Sequence, residues 1–168
     1  MDSPMPINTK TAPRRMLSFH CSACLKSELD RIQAAHDAGS TATTGNWTEG
    51  EILEHCAKLF EVGLDGTNEN LGIVARAFGF LFRGMIFRSK SMPPGYQLPK
   101  GAKLLPTAGV SFEQGMQRMR RVLQRLDDGA LMTKRSPFLG AMTHARWMHV
   151  NLIHSQLHLG FITYAGAQ

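Results

Sequence analysis

The sequence lacks long apolar runs. None approaches the roughly 18 residues that a bilayer-spanning helix needs, so no membrane partner is expected. Cysteine is scarce, with three residues, and an odd count argues against a disulfide framework. The opening stretch MDSPMPINTKTAPRR has no apolar core of the kind a secretory signal carries. Together these absences predict a cytoplasmic protein. Charged residues make up only 19% of the chain, and no basic run dominates despite a net charge of +6. A basic balance permits contact with nucleic acid by its sign alone. The densest stretch, RMRRVLQR with Arg118, Arg120, Arg121 and Arg125, interleaves no aromatic side chains that could stack on bases. It is the solvated face of a helix on this reading, and nucleic acid is not expected as a partner. Strand-like alternation is also scarce, and no internal repeat is evident.

What the sequence does contain is a globular composition, 43% apolar over 168 residues, enough for one domain with a real core. Residues 1–13 are Pro- and Thr-containing and are expected to form a flexible tail, with a single domain over 14–168. Apolar spacing predicts a first helix over Ser22 to Ala38, carrying Leu25, Leu29, Ile32 and Ala35 on one face, and ended by GSTATTGN. The second opens on NWTEGEIL. Thr48 is an N-cap with Glu51 three positions on, a capping box, while Trp47 and Ile52 have the spacing of a hydrophobic staple. This helix should run to about Val62 and stop near Gly63 to Gly66.

A third helix, from about Glu69 to Arg88, bears Leu71, Val74, Phe78, Phe80, Leu81, Phe82, Met85, Ile86 and Phe87 on more than one face. Burial by two neighbours is the favoured explanation and a subunit contact the other. The Pro/Gly-rich stretch SMPPGYQLPKGAKLLPTAG follows, either a crossover along a bundle or an edge that shapes a pocket. The fourth helix opens at Ser111, with Gln114 completing a capping box, and runs to about Asp127. The last opens at Thr143 and continues to about Gly160. The fold class is all-α, an antiparallel bundle with one extra helix and a long crossover.

Seven histidines are present, and two of them set a problem. His154 and His158 in NLIHSQLHLGF are four positions apart, so both leave one helix face, the stripe that also carries Trp147 and Phe161. Two imidazoles side by side need several partners and repel if both ionise. A divalent metal resolves both difficulties by taking a neutral ring nitrogen from each. His149 lies about half a turn away, and His144 is roughly 21 Å along the axis from His158, so neither belongs to the pair. The best third donor is His55 in GEILEHCAKLF, which shares its face with Ile52 and Leu59. The competing interpretation is two half-exposed histidines at a helix end and one satisfied histidine in the core. HCSAC, with His20, Cys21 and Cys24, and with Cys56 further on, is a rival site, although structural zinc sites take four ligands and no second close pair follows. Glu51 and Glu54 flank His55; Glu51 is assigned to capping and Glu54 to solvent.

NWTEGEILEHCAKLF and, about eighty residues later, SPFLGAMTHARWMHVNLIHSQLHLGF resemble the DinB-like superfamily, and within it the branch known as DUF1569. The matching positions are Trp47, His55, Pro137, Phe138, Gly140, Thr143, Trp147, His154 and His158. The resemblance implies a DinB-like four-helix bundle with a crossover, and a divalent metal held by His55, His154 and His158, the same three residues that the face argument selects. It also implies homodimers and the transfer of low-molecular-weight thiols or isomerisation with thiol help. The branch often carries His at the position of Leu157 and Gln at that of Phe161, and both are absent here.

Three histidine ligands leave an open position on a metal for water or thiolate. Imidazole suits Zn, Ni, Cu and Fe alike, with zinc or nickel expected. Three functions stay open on the sequence: a metal-dependent thiol transferase-like or hydrolytic enzyme, a module that binds metal or a small ligand without turnover, and a metal-free helical protein that dimerises through its Phe-rich third helix.

Overall fold

A computed structural model describes residues 6–69, 72–96, 98 and 101–166. Among them five helices form: α1 (Ser22–Asp37), α2 (Glu49–Asp65), α3 (Gly72–Arg88), α4 (Phe112–Asp127) and α5 (His144–Leu159). The all-α helical bundle is therefore the observed class. Both predicted capping boxes close. Thr48 and Glu51 exchange side-chain and backbone bonds at the start of α2, and Ser111 with Gln114 does the same for α4. Thr143 caps α5 by accepting from the Arg146 N–H at 3.3 Å. Each such cap contributes about 1 kcal/mol and fixes where its helix begins.

The core is built by α1, α2, α4 and α5. Leu25 and Ile32 of α1, Leu53 and Phe60 of α2, Met119 of α4 and Trp147 of α5 are all fully buried. Contacts between charged ends give the directions. Arg118 bonds Glu54 and Glu61, and Arg125 pairs with Asp65, so α2 and α4 advance together and run parallel. A Cβ on Gly50 would strike the Val110 and Ser111 carbonyls, and one on Gly115 would strike the Gly50 carbonyl. The two helices thus touch backbone to backbone near their starts. Parallel neighbours need a connection that returns the chain to its starting end, which is what α3 and the Pro/Gly-rich link accomplish. α1 runs against α4, with Lys26 beside Asp127 and Asp30 beside Arg120.

Two features differ from expectation. Thr41–Thr43 (β1) and Ile162–Tyr164 (β2) pair antiparallel, with Thr41 opposite Tyr164 and Thr43 opposite Ile162. Three residues per strand are too few for alternation to register in the sequence, although four of the six side chains are β-branched. The sheet is fixed by Arg15. Its guanidinium donates to the Ile162 carbonyl at 2.6 Å, pairs with buried Glu28 at 2.7 Å and lies 4.4 Å from the Tyr164 ring centroid.

The second difference concerns α3. Two neighbours do not bury it: Phe80, Leu81 and Met85 are 59%, 76% and 64% exposed. α3 is the additional helix, laid against the outside of the bundle with Phe82 and Ile86 turned inward. Leu71 and the side chains of Val74 and Phe78 lie outside the described residues, as do residues 1–5 of the expected tail. Within the rest of that segment, Ile7 exchanges two backbone bonds with the Asn46 side chain, at 2.7 and 2.8 Å.

Candidate metal centre

α5 runs antiparallel to α2, and this decides the site. Trp147 near the start of α5 lies by the end of α2, where its indole N–H donates to the Lys134 carbonyl and the Lys134 N–H donates to that of Gly63. Seven and eleven residues later, His154 and His158 are level with His55. The His154 and His55 Nε2 atoms stand 3.1 Å apart, and one ring nitrogen from each of the three histidines falls within 4.8 Å of the others. The His158 ring centroid is 4.5 Å from that of His55 and 4.4 Å from that of His154. A tetrahedral ion with metal–nitrogen bonds of about 2.0–2.1 Å places its ligands about 3.3–3.4 Å apart. The His154–His55 spacing already suits this, and the third ring nitrogen lies within 4.8 Å of both.

The ring nitrogens are in the right protonation state. Burial pushes the His55 imidazole down to about 4, against the opposing hydrogen bond to Leu104. His154 is held well below its ordinary range by burial first, then by His158 and His55, and His158 by burial and His55. All three are neutral at neutral pH and present lone pairs. His55 is also oriented. Its Nδ1–H donates to the Leu104 carbonyl at 2.6 Å, which leaves Nε2 as the free base aimed at the other two. His154 Nδ1 is buried and has no partner among the described residues. Trp47 walls the other side. Its ring stacks on His158 at 5.4 Å and 22°, and lies 4.8 Å from His55. The residue before the Thr48 cap thus supplies part of the site wall.

Leu104 belongs to the Pro/Gly-rich link, whose polar backbone is tied to α2. The Thr107 N–H donates to Glu54 at 2.6 Å and Lys58 Nζ donates to the Leu105 carbonyl at 2.7 Å. Glu54, expected to face solvent, is instead buried between Arg118 at 2.7 Å and Lys58 at 3.2 Å, because the link covers that flank of α2. Burial raises the Glu54 pKa, but the Thr107 N–H, Lys58 and the Thr107 hydroxyl together lower it further, and the carboxyl stays ionised. The link therefore shapes a pocket, one of its two expected roles. The signal for Leu104 as the partner of His55 was absent from side-chain chemistry, since the contact is a backbone carbonyl.

The three histidines open onto a cavity of about 450 Å³. Its walls come from α2 (Leu59), α3 (Phe82, Ile86), the link (Met92, Tyr96, Leu104), the loop before α5 (Pro137, Phe138) and α5 (Val150, Leu157). A second cavity of about 290 Å³ meets it at Trp47, Leu157 and His158, and is lined by Phe161, Asn46 and Thr9. Leu157 and Phe161 thus border the site with apolar surface.

The rival cluster does not assemble. Cys21 and Cys24 have their sulfurs 3.1 Å apart at the start of α1, and the bond from Cys21 holds the Cys24 thiol below its ordinary range. Cys56 is buried on α2, and burial pushes its thiol up to about 12. Among the described residues, His55, His154 and His158 form the only group of three such side chains close enough to share an ion. His144 accepts from the Met132 N–H at 3.1 Å, away from the site.

No curated protein and no solved structure shows a significant match to the chain. A family model described as a protein of unknown function, DUF1569, matches residues 12–165, so the chain belongs to the DUF1569 family.

Proposed function

We propose that this protein binds one divalent ion, zinc or nickel, through His55, His154 and His158, and that its fold is of the DinB-like type. The observation that carries the proposal is the convergence of three histidine ring nitrogens within 4.8 Å at the edge of a cavity. Three neutral imidazoles with no ionised partner among them are poorly explained as packing alone, since each forgoes hydration. An ion held there supplies Lewis acidity and lowers the pKa of a coordinated water or thiol.

The residues of the chain do the rest. Leu104 fixes the His55 tautomer, Trp47 holds the rings from one side, and the cavity presents an apolar wall to the open coordination side. The described cavity lining contains no carboxylate or lysine to act as a general base. The ion itself would then supply the nucleophile, as a coordinated water or as the thiolate of a low-molecular-weight thiol, so thiol transfer and hydrolysis are both served by the site. Free thiols at Cys21, Cys24 and Cys56 fit a reducing, cytoplasmic setting.

Metal analysis of protein purified without an affinity tag tests the binding step. Close to one zinc or nickel per chain, lost in His154→Ala, supports it. A metal-free wild type that also rejects added zinc and nickel overturns it. Thiol-conjugation turnover, compared with His55→Ala, separates enzyme from binding module. The exposed Phe80, Leu81 and Met85 favour a homodimer as a second reading. Sedimentation of wild type against Leu81→Glu checks it, with a shift from dimer to monomer expected.

A further inference from the structure

We infer that the ligand of this site is a small molecule with an uncharged, predominantly apolar body whose single polar group meets the three histidines, and that molecules carrying a further charge on that body are disfavoured. The inference rests on the proposed site but concerns the chamber beside it. Among the described residues, no Asp, Glu, Lys or Arg lines the 450 Å³ cavity. Its few polar groups are mostly engaged already. The Trp147 indole N–H donates to the Lys134 carbonyl, and Ser136 Oγ accepts from the Phe138 and Leu139 N–H groups. Arg118, Lys58, Glu54 and Glu61 pair with one another, Lys58 also bonding the link, and none of the four lines the cavity. Beside Tyr96 and Trp47, the three histidines remain as the main polar group on an otherwise apolar described wall.

Away from the histidines, a charged group entering such a chamber loses part of its water and finds no counter-ion among the described residues. An apolar body loses nothing and gains the contact of Phe82, Ile86, Phe138 and Val150. The volume suits a single-ring or two-ring molecule with its functional group at one end, within the range of ordinary small-ligand pockets. The net charge of +6 acts the other way, since it draws anions toward the surface as a whole. A preference for neutral ligands therefore has to come from the chamber itself, which makes it a discriminating readout.

The test uses two fluorophores that share a scaffold and differ by one sulfonate, phenylnaphthylamine and anilinonaphthalene sulfonate, titrated into the full-length protein without metal. The neutral probe is expected to bind at least tenfold more tightly. Leu59→Trp, which fills the chamber from a half-buried position, should abolish that binding, and Met92→Lys in the link should narrow the gap by favouring the sulfonate. Equal or tighter binding of the sulfonate to wild type overturns the inference, as does neutral-probe binding that Leu59→Trp leaves unchanged. The same contrast is then read on cobalt-loaded protein from the thiolate-to-cobalt absorption, with phenylmethanethiol expected to saturate at least tenfold below mercaptoethanesulfonate, and the reverse order counting against the inference. Failure of cobalt to bind would overturn the metal proposal alone, because the fluorophore result stands without it.

Discussion

At the scale of the residue, His55 is the proposed ligand whose hydrogen-bond partner is built into the fold. Its Nδ1–H is committed to the Leu104 carbonyl, so its Nε2 lone pair faces His154 before any ion arrives. Replacing His55 or His154 by alanine removes one of the three proposed ligands and is expected to weaken zinc binding at least about 100-fold, beyond the roughly 10–100-fold typical of losing an outer partner. Competition with a chromophoric chelator measures it. The same burial makes an acid prediction for the metal-free protein. Unfolded, each imidazole returns to a pKa near 6.5. Folded, His55 sits at about 4 and the other two well below their ordinary value. Below pH about 6.5 the unfolded chain therefore takes up protons that the folded chain refuses, and stability falls as pH drops toward the folded values. Above that window the three contribute no slope. Urea unfolding at a series of pH values should show the decline in wild type and a shallower one in His154→Ala. These three residues were legible in the sequence because HxxxH and the face of His55 are periodic signals. Leu104 was not, since a backbone carbonyl has no residue-type signature, and Glu54 was misplaced because covering by the link is a tertiary event.

At the scale of the element, the link over residues 91–109 turns from a connection into a wall. It is held to α2 by Glu54, Lys58 and Glu51, the last through the Gly109 N–H at 3.1 Å. Glu54→Ala leaves Arg118 and Thr107 without their buried acceptor, at a cost of about 2–4 kcal/mol. Limited proteolysis should then nick the link well before the helices, whereas wild type resists at the same protease dose. The α2–α4 crossing offers a contrasting case. Gly115→Ala puts a methyl group against the Gly50 backbone and should destabilise by about 1–3 kcal/mol in chemical unfolding, with the link still protected. Helix starts were legible from Thr48, Ser111 and Thr143 because capping is a local chemistry. The β1–β2 pair and the exposed side of α3 were not, because three-residue strands carry no period and an apolar helix does not declare which of its faces finds a neighbour.

At the scale of the whole molecule, parallel α2 and α4 require a long return path, and that path is what encloses the cavity beside the histidines. Fold and site are in this sense one design: the antiparallel α2–α5 pair gathers the three histidines, and the crossover walls the cavity beside them. An ion bound only by the folded state must raise the stability of the entire domain. At free zinc one hundred times its dissociation constant the gain is about 2.7 kcal/mol, read as an upward shift in Tm that His154→Ala does not show. The most direct measurement is X-ray absorption at the zinc edge of zinc-loaded wild-type protein. Three imidazole nitrogens at about 2.0–2.1 Å, completed by a light atom and free of sulfur, is the expected result. A sulfur shell at about 2.3 Å, which would move the ion to Cys21 and Cys24, or fewer than three imidazoles, would contradict the assignment of His55, His154 and His158 as the metal centre.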